Sequence, residues 1–362
     1  MKLVLQIKLV PTKEQIDTLV NTIYEANRAC NAISDIAWEN KVFNQYKIQR
    51  LCYRSVKDTF GLSAQMIVRC IGKVSESYRN NKKTKRVFRK GGAIAYDSRI
   101  LSYNVQNTTV SIWSVEGRLK VPFICHNIKY LPYIKGEADL VYKNGKLYLF
   151  QTVEIDEENI KDVEEFIGVD FGLVSIAATS DDQIFSSQTL NRYREKRLKI
   201  RSSLQAKGTR GAKKLLKRLS GREQRTATLV NHTISKRIVD IAKSAGKGIA
   251  IEDLTGIRDT ASNRGKKMRA RIGRWGFYQL RVFLSYKAIL KGVRLVVIEP
   301  AYTSQMCNAC YRIGKRRGEV FKCQNCNVLS NADVNAAKNI AFLGGLINDP
   351  EKSSMFSCAL HI

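Results

Sequence analysis

Cys307, Cys310, Cys323 and Cys326 stand as C-x2-C-x12-C-x2-C. Two thiol pairs, each on a tight turn, supply the four soft ligands of a tetrahedral zinc site, and a connector of this length suits a zinc ribbon. The plainer reading, four buried thiols without an ion, is poorly supported. The intervening YRIGKRRGEVFK is mainly polar and basic, and is not expected to supply an apolar core that would hold them. Three acids mark the same half of the chain: Asp170 directly after FIGV, Glu252 at the end of GIAI, and Asp333 at the head of VNAAKNIAFL. In an α/β sheet, acids at strand ends converge on one edge, where ligands bind. Two or three carboxylates gathered there can hold a pair of divalent cations, a two-metal site that activates a water and stabilises the leaving oxygen of a phosphodiester. Taken singly, each has a commoner role, because aspartate after a strand starts a turn and aspartate at a helix start caps it. The three together, inside a strongly basic chain, favour the joint reading. Other chemistry is thinly supplied: His126, His232 and His361 form no ligand pair, and no glycine-rich phosphate loop is present.

The 362 residues carry 62 Lys+Arg against 32 Asp+Glu, a formal net charge of +30. A folded chain of that charge repels itself unless a polyanion neutralises it, so nucleic acid is the expected partner. A membrane surface is the rival polyanion, but no stretch has the apolar length of a spanning helix and no basic amphipathic helix stands out. MKLVLQIKLVP is interrupted by Lys8 and reads as a first strand rather than a signal peptide. The five further cysteines, Cys30, Cys52, Cys70, Cys125 and Cys358, are scattered and odd in number. They argue against a disulfide framework and for a reducing, cytoplasmic location.

The elements that must position the acids follow from periodicity and turn signals. Thr12 with Gln15 forms a capping box, and Leu19, Ile23, Ala26, Ala29 and Ile33 recur at helical spacing behind it. Further helices are expected over 46–58 and 62–80. Residues 94–155 alternate as strands, with hairpin turns at Glu116-Gly117 and Lys143-Asn144-Gly145, and the strand at 2–9 is expected to complete that barrel-like sheet. An acid-rich stretch from Glu154 to Glu165 reads as a linker. Strands and helices then mix in the order of an α/β layer with a mixed sheet. Charge runs supply candidate phosphate contacts: Lys82, Lys83, Lys85 and Arg86 in one, Lys213, Lys214 and Arg218 in another, and Arg312, Arg316 and Arg317 in the ribbon. Solvated loops are the alternative for each. The segment 258–271, with six basic residues against one acid, is a candidate lid over the cleft or an inert loop.

The strings IGVDFGL, IAIEDL, EPAYTSQMCNAC, CQNC and NADVNAAKNIA, in this order and spacing, resemble the signature of the TnpB (OrfB) family of transposon-encoded nucleases, relatives of type V CRISPR effectors. LVPTKEQ, YDSRIL, NHTISKRIV and WGFYQLRVFLSYKA extend the likeness over most of the chain. The resemblance implies a wedge-like β-barrel (1–10 and 94–155) with an inserted helical recognition part (11–93), and a linker at 156–166. It further implies a RuvC-like, RNase H-like nuclease domain (167–300 and 331–345) interrupted by a zinc ribbon (301–330), with a tail at 346–362. It also implies a guide RNA, a double-stranded DNA target cut beside a short adjacent motif, and Mg²⁺ as the catalytic cofactor. Asp170, Glu252 and Asp333 match the family's catalytic, magnesium-holding triad, and Cys307, Cys310, Cys323 and Cys326 its zinc ligands. Two positions depart from the pattern: Tyr311 and Asn327 stand where a glycine commonly follows a knuckle, which implies a strained turn. A guided repressor without nuclease activity, and a zinc-ribbon structural factor that binds nucleic acid, are the alternatives.

Overall fold

The computed structural model describes residues 1–255, 265–273 and 276–348. Part of the candidate lid at 258–271, and the tail beyond 348, lie outside these residues. The chain divides into two compact units, Met1–Asp156 and Glu157–Ile362.

The first unit begins with β1 (Lys2–Leu9) and three helices, α1 (Lys13–Glu39), α2 (Gln45–Thr59) and α3 (Ala64–Ser77). The Thr12 and Gln15 side chains cap α1 reciprocally, and Leu19, Ile23, Ala26, Ala29 and Ile33 all lie on its buried face. The sheet comprises β1, β2 (Ile94–Tyr96), β3 (Leu101–Asn104), β4 (Thr109–Ser114), β5 (Gly117–Ile124), β6 (Ile134–Lys143) and β7 (Lys146–Glu154). Its order is β2-β6-β7-β1-β5-β4-β3, so the expected first strand sits at the centre, paired antiparallel with β5 and β7. The two outermost strands, β2 and β3, are joined by only a short turn. That connection forces the sheet to curl, and the amide of Trp113 donates to Ile100 O at 2.9 Å while Tyr96 Oη donates to Trp113 O at 2.9 Å near the closing edge. The result is a nearly closed, barrel-like sheet whose inner face shares one core with the helices. Asn144 and Gly145 turn the β6–β7 hairpin with φ of 53° and 75°, conformations that asparagine and glycine tolerate.

The second unit is an α/β layer. Its five-stranded sheet contains β8 (Phe166–Asp170), β9 (Ser175–Thr179), β10 (Ile184–Ser186), β11 (Gly248–Glu252) and β12 (Leu295–Ile298), in the order β10-β9-β8-β11-β12. The first three strands pair antiparallel, whereas β8, β11 and β12 run parallel. Helices α4 (Gln188–Lys207), α5 (Arg210–Leu219) and α6 (Arg222–Ala245) precede β11, and α7 (Lys266–Gly273) and α8 (Phe277–Leu290) follow it. A small three-stranded sheet, β13 (Lys315–Arg317), β14 (Val320–Lys322) and β15 (Leu329–Asn331), leads into α9 (Ala332–Asn348).

Helix α9 lies directly on β8, and the sequence makes room for it. A Cβ at Gly168 would overlap the carbonyl oxygen of Ala337 and the amide nitrogen of Ala341, so only glycine allows strand and helix backbones to approach this closely. The acid-rich stretch before β8 is held against this unit by ion pairs from Glu158 to Lys243 at 2.5 Å and from Glu165 to Lys247 at 2.6 Å. Among the described residues, no helix is long and apolar enough to cross a membrane.

Candidate metal and nucleic-acid site

Asp170 is the last residue of β8 and Glu252 the last of β11. The parallel register that sets Ile251 beside Val169 carries Glu252 to the level of Asp170 on the neighbouring strand. Strand alternation then separates Glu252 from Asp253. Glu252 turns inward, only 8% exposed, and accepts a 2.5 Å hydrogen bond from Thr303 Oγ1. Asp253 faces outward, where Thr255 and an ion pair with Arg281 at 2.6 Å hold its carboxyl down at about 2.

Asp333 comes from the first turn of α9 and is not the cap of that helix. Asn331 Oδ1 accepts from the amides of Asp333 at 2.9 Å and Val334 at 3.1 Å, which is the capping role. The Asp333 carboxylate is thereby released to the sheet edge, where Oδ2 accepts from Ser175 Oγ at 2.8 Å and Oδ1 pairs with Arg316 Nη2 at 2.7 Å. It is 4% exposed.

Asp170 senses both other acids. Burial, then the negative charges of Glu252 and Asp333, push Asp170 up to about 8, against the opposing charge of Arg316. Burial also raises Glu252, opposed by the Thr303 hydrogen bond and Arg316. Such a cluster of buried oxygen ligands has more negative charge than its single arginine compensates, the condition under which a hard divalent cation binds. The residues therefore fit Mg²⁺, although the three carboxylates are not drawn into one tight shell. Among the described residues, only the four cysteines form a group of three or more such side chains whose ligand atoms all lie within 4.8 Å of one another.

An asparagine replacing Asp170 tests this electrostatic reading. The folded-state value near 8 lies above the ~4 of an unfolded aspartate, so ionisation opposes folding. The penalty is absent below about pH 4, grows as pH rises to about 8 and is constant above that. With the ribbon zinc retained and no other divalent cation added, Asp170→Asn should therefore melt at a higher temperature than the parent, with an advantage that widens across this window. A difference that does not change with pH would show that Asp170 ionises freely.

In the ribbon, Cys307 and Cys326 Sγ lie 3.6 Å apart and Cys310 and Cys323 Sγ 3.5 Å apart. A tetrahedral ion with Zn–S bonds of about 2.3 Å needs sulfurs about 3.8 Å apart, so the four thiols are set for zinc. The Arg312 amide draws Cys310 down to about 6, and the Cys326 amide lowers Cys323. Although the Val328 amide favours its thiolate, burial and the neighbouring thiols push Cys326 up to about 12. The sulfurs cannot all ionise together without a cation among them. Tyr311 and Asn327, the two departures from glycine, indeed adopt left-handed φ of 58° and 61°. The strain, of order 1 kcal/mol at a non-glycine residue, is offset at Tyr311 by stacking on Phe342 with ring centroids 4.6 Å apart.

A family model described as "Cas12f1-like, TNB domain" matches residues 277–340, which span α8, β12, the ribbon and the start of α9. A TnpB-like protein of Methanocaldococcus jannaschii is 30% identical over 215 residues, covering 55% of this chain and 77% of that protein. The chain belongs to the TnpB-like family. It is also similar to InsQ of Escherichia coli, named a putative RNA-guided DNA endonuclease, with 28% identity over 219 residues covering 55% of this chain and 54% of InsQ. Among solved structures, a Cas12f1 chain in a complex with single-guide RNA and target DNA superposes with a TM-score of 0.62 over 92% of this chain and 83% of its own. At 16% identity that likeness is one of fold, a multidomain α/β architecture.

On this TnpB-like scaffold the basic candidates differ in availability. Lys82, Lys83, Lys213, Lys214, Arg218, Arg312 and Arg317 are exposed. Lys85 pairs with Asp35 at 2.7 Å, and the half-buried Arg86 donates to Asn81 O at 3.0 Å. Arg316 is committed to Asp333. On α4, Arg192, Lys196, Lys199, Arg201 and Lys207 are exposed, as a surface that tracks a phosphate backbone requires, whereas Arg194 pairs with Glu223 and Arg197 lies over the Tyr193 ring.

Residue typing overlooked the side chains that hold the TnpB-like site together: Ser175, Thr303, Asn335 and Asn339. Asn339 Nδ2 donates to Thr303 O at 2.8 Å and Met306 O at 2.7 Å, and Asn335 Nδ2 donates to Met306 O at 2.7 Å. These bonds fasten the loop that carries Thr303 to α9, beside Glu252. A signal was available. Two fully buried amides at i, i+4 in an otherwise small and apolar helix need partners.

Proposed function

We propose that this chain is an RNA-guided endonuclease that cuts double-stranded DNA, with Asp170, Glu252 and Asp333 as the carboxylates of a RuvC-like nuclease domain. The observation that carries the reading is the meeting of three acids, separated by more than 80 residues each in the chain, at the carboxyl edge of one mixed sheet, close enough that two of them raise the third. Membership of the TnpB-like family and the likeness to InsQ, named a putative RNA-guided DNA endonuclease, support the substrate and the guide.

Divalent cations, Mg²⁺ by the chemistry of the oxygen ligands, would supply Lewis-acid activation and charge compensation at the phosphodiester. The protein's own part is positioning. Ser175 and Thr303 orient Asp333 and Glu252, and Asp170, with a value near 8, takes up or releases a proton as cations leave or enter. The Cys307, Cys310, Cys323 and Cys326 ribbon is a zinc element that stabilises the entry to α9 and hence Asp333. The exposed cations of α4 and α5 neutralise phosphates, while base pairing with the guide supplies sequence specificity. A guided repressor would have no use for the buried acids, and a structural factor would have none for their shared charge.

Sequencing the RNA that co-purifies with the chain tests the proposal. One defined transcript with a variable segment should dominate, and the complex should cut a plasmid carrying the matching sequence in Mg²⁺ but not in EDTA. A miscellany of cellular RNA with no metal-dependent cutting would overturn it.

A further inference from the structure

Arg316 occupies an unusual place. It lies in the middle of β13, on the ribbon's first hairpin, yet its side chain leaves the ribbon. Its Nε donates to Gly318 O at 3.2 Å and its Nη2 to Asp333 Oδ1 at 2.7 Å. The guanidinium is thus fixed at one end by its own hairpin turn and at the other by the most buried of the three acids. Its positive charge also lies within electrostatic reach of Asp170 and Glu252. With Ser175 on the second oxygen, each Asp333 oxygen already has a donor.

A divalent cation binds by direct contact with carboxylate oxygens and by displacing their previous donors. A guanidinium on Asp333 and a dication on the same carboxylate repel each other and compete for the same lone pairs. We infer that Arg316 is the resident counter-ion of the metal-free acid cluster, and that loading a divalent cation requires it to leave Asp333. The inference rests on the proposed metal-holding role of the acids.

The anchoring of Arg316 adds a consequence. Strands β13, β14 and β15 have three residues each, and the core beneath them is little more than Cys307, Phe321, Cys323 and Ala332. The ion held by the four cysteines therefore sets where Arg316 stands. Occupancy of the thiolate site and of the carboxylate site becomes one linked equilibrium, in which a rigid ribbon holds the arginine against the acids. Release of the arginine also leaves a guanidinium beside the edge where a phosphodiester would lie, suited in charge and shape to a phosphate.

Titrating the full-length, zinc-loaded protein with Mn²⁺ alone, without nucleic acid, tests the inference by calorimetry. Arg316→Ala should bind Mn²⁺ about 10-fold more tightly than the parent, a coupling of ordinary size. With zinc retained and no other divalent cation added, the same variant should melt at a lower temperature, because Asp333 loses its ion pair, and saturating Mn²⁺ should raise its midpoint by more than it raises the parent's. If Arg316→Ala loses its zinc, Arg316→Gln keeps an amide donor without the charge and should show the same tighter binding. Equal or weaker Mn²⁺ affinity in a zinc-loaded variant overturns the counter-ion role. Failure of every chain to bind Mn²⁺ would overturn the proposed metal role of the acids, and this inference with it.

Discussion

Replacing Asp170 or Glu252 with alanine should slow DNA cleavage by at least about 10³-fold, the scale of losing a group that acts only in the transition state, while leaving RNA and target binding nearly unchanged. Both side chains end adjacent parallel strands, and neither belongs to the exposed basic surface that would grip nucleic acid. Phosphate neutralisation by the proposed contacts Lys213, Lys214 and Arg218 would be a separate contribution that the substitutions leave in place. Glu252→Ala also frees Thr303 Oγ1, but Thr303 retains Pro300 O as a partner at 3.1 Å, so the loop should hold its position. Single-turnover cleavage and filter binding on the same preparations separate the two quantities. Cutting at the parental rate by either variant removes that residue from the chemistry.

The second large effect is expected in the ribbon. Cys323→Ser should abolish stoichiometric zinc and melt residues 301–331, while the sheet and helices of the second unit stay folded. The ribbon has no apolar core able to replace the ion, and a structural zinc site contributes on the order of 10 kcal/mol to the folding of such elements. The larger core around Ile167, Val169, Ile249, Ile251, Leu280 and Leu284 does not include the ribbon and should survive. Hydrogen exchange reads the result directly. Amides of β13 to β15 should exchange rapidly in the variant and slowly in the parent, whereas those of β8 and β11 should remain protected in both. Continued protection of the ribbon without zinc would show that the cysteines are a packing cluster and not a metal site. Because the ribbon carries Arg316, its melting should also release the Asp333 ion pair, making the acid site respond to a change at the cysteines.

How much of this was legible beforehand varied with distance along the chain. The Thr12–Gln15 capping box, the buried stripe from Leu19 to Ile33 and the two hairpin turns of the first unit are local, since each depends on residues within a few positions. The cysteine spacing is local in the same sense, because each knuckle is a short turn. Family membership was legible too, through strings of this kind in a fixed order. The lid segment at 258–271 shows the limit of reading charge runs: its described part, from Lys266, forms α7.

What the sequence by itself determined, then, was the inventory: four thiols for a soft ion, three acids at element ends, a basic surface, and the order of strands and helices. Only the tertiary structure decided which of these groups face one another. Asn331 took the capping role and freed Asp333; Ser175 reached Asp333 from 158 residues away; Thr303 reached Glu252 from 51. Gly168 let α9 approach β8, and Arg316 turned from a surface cation into a partner of the acids. Periodicity reports which face of an element is apolar, whereas charge pairing and capping are settled by neighbours that meet only once the sheet, the closing helix and the ribbon have packed.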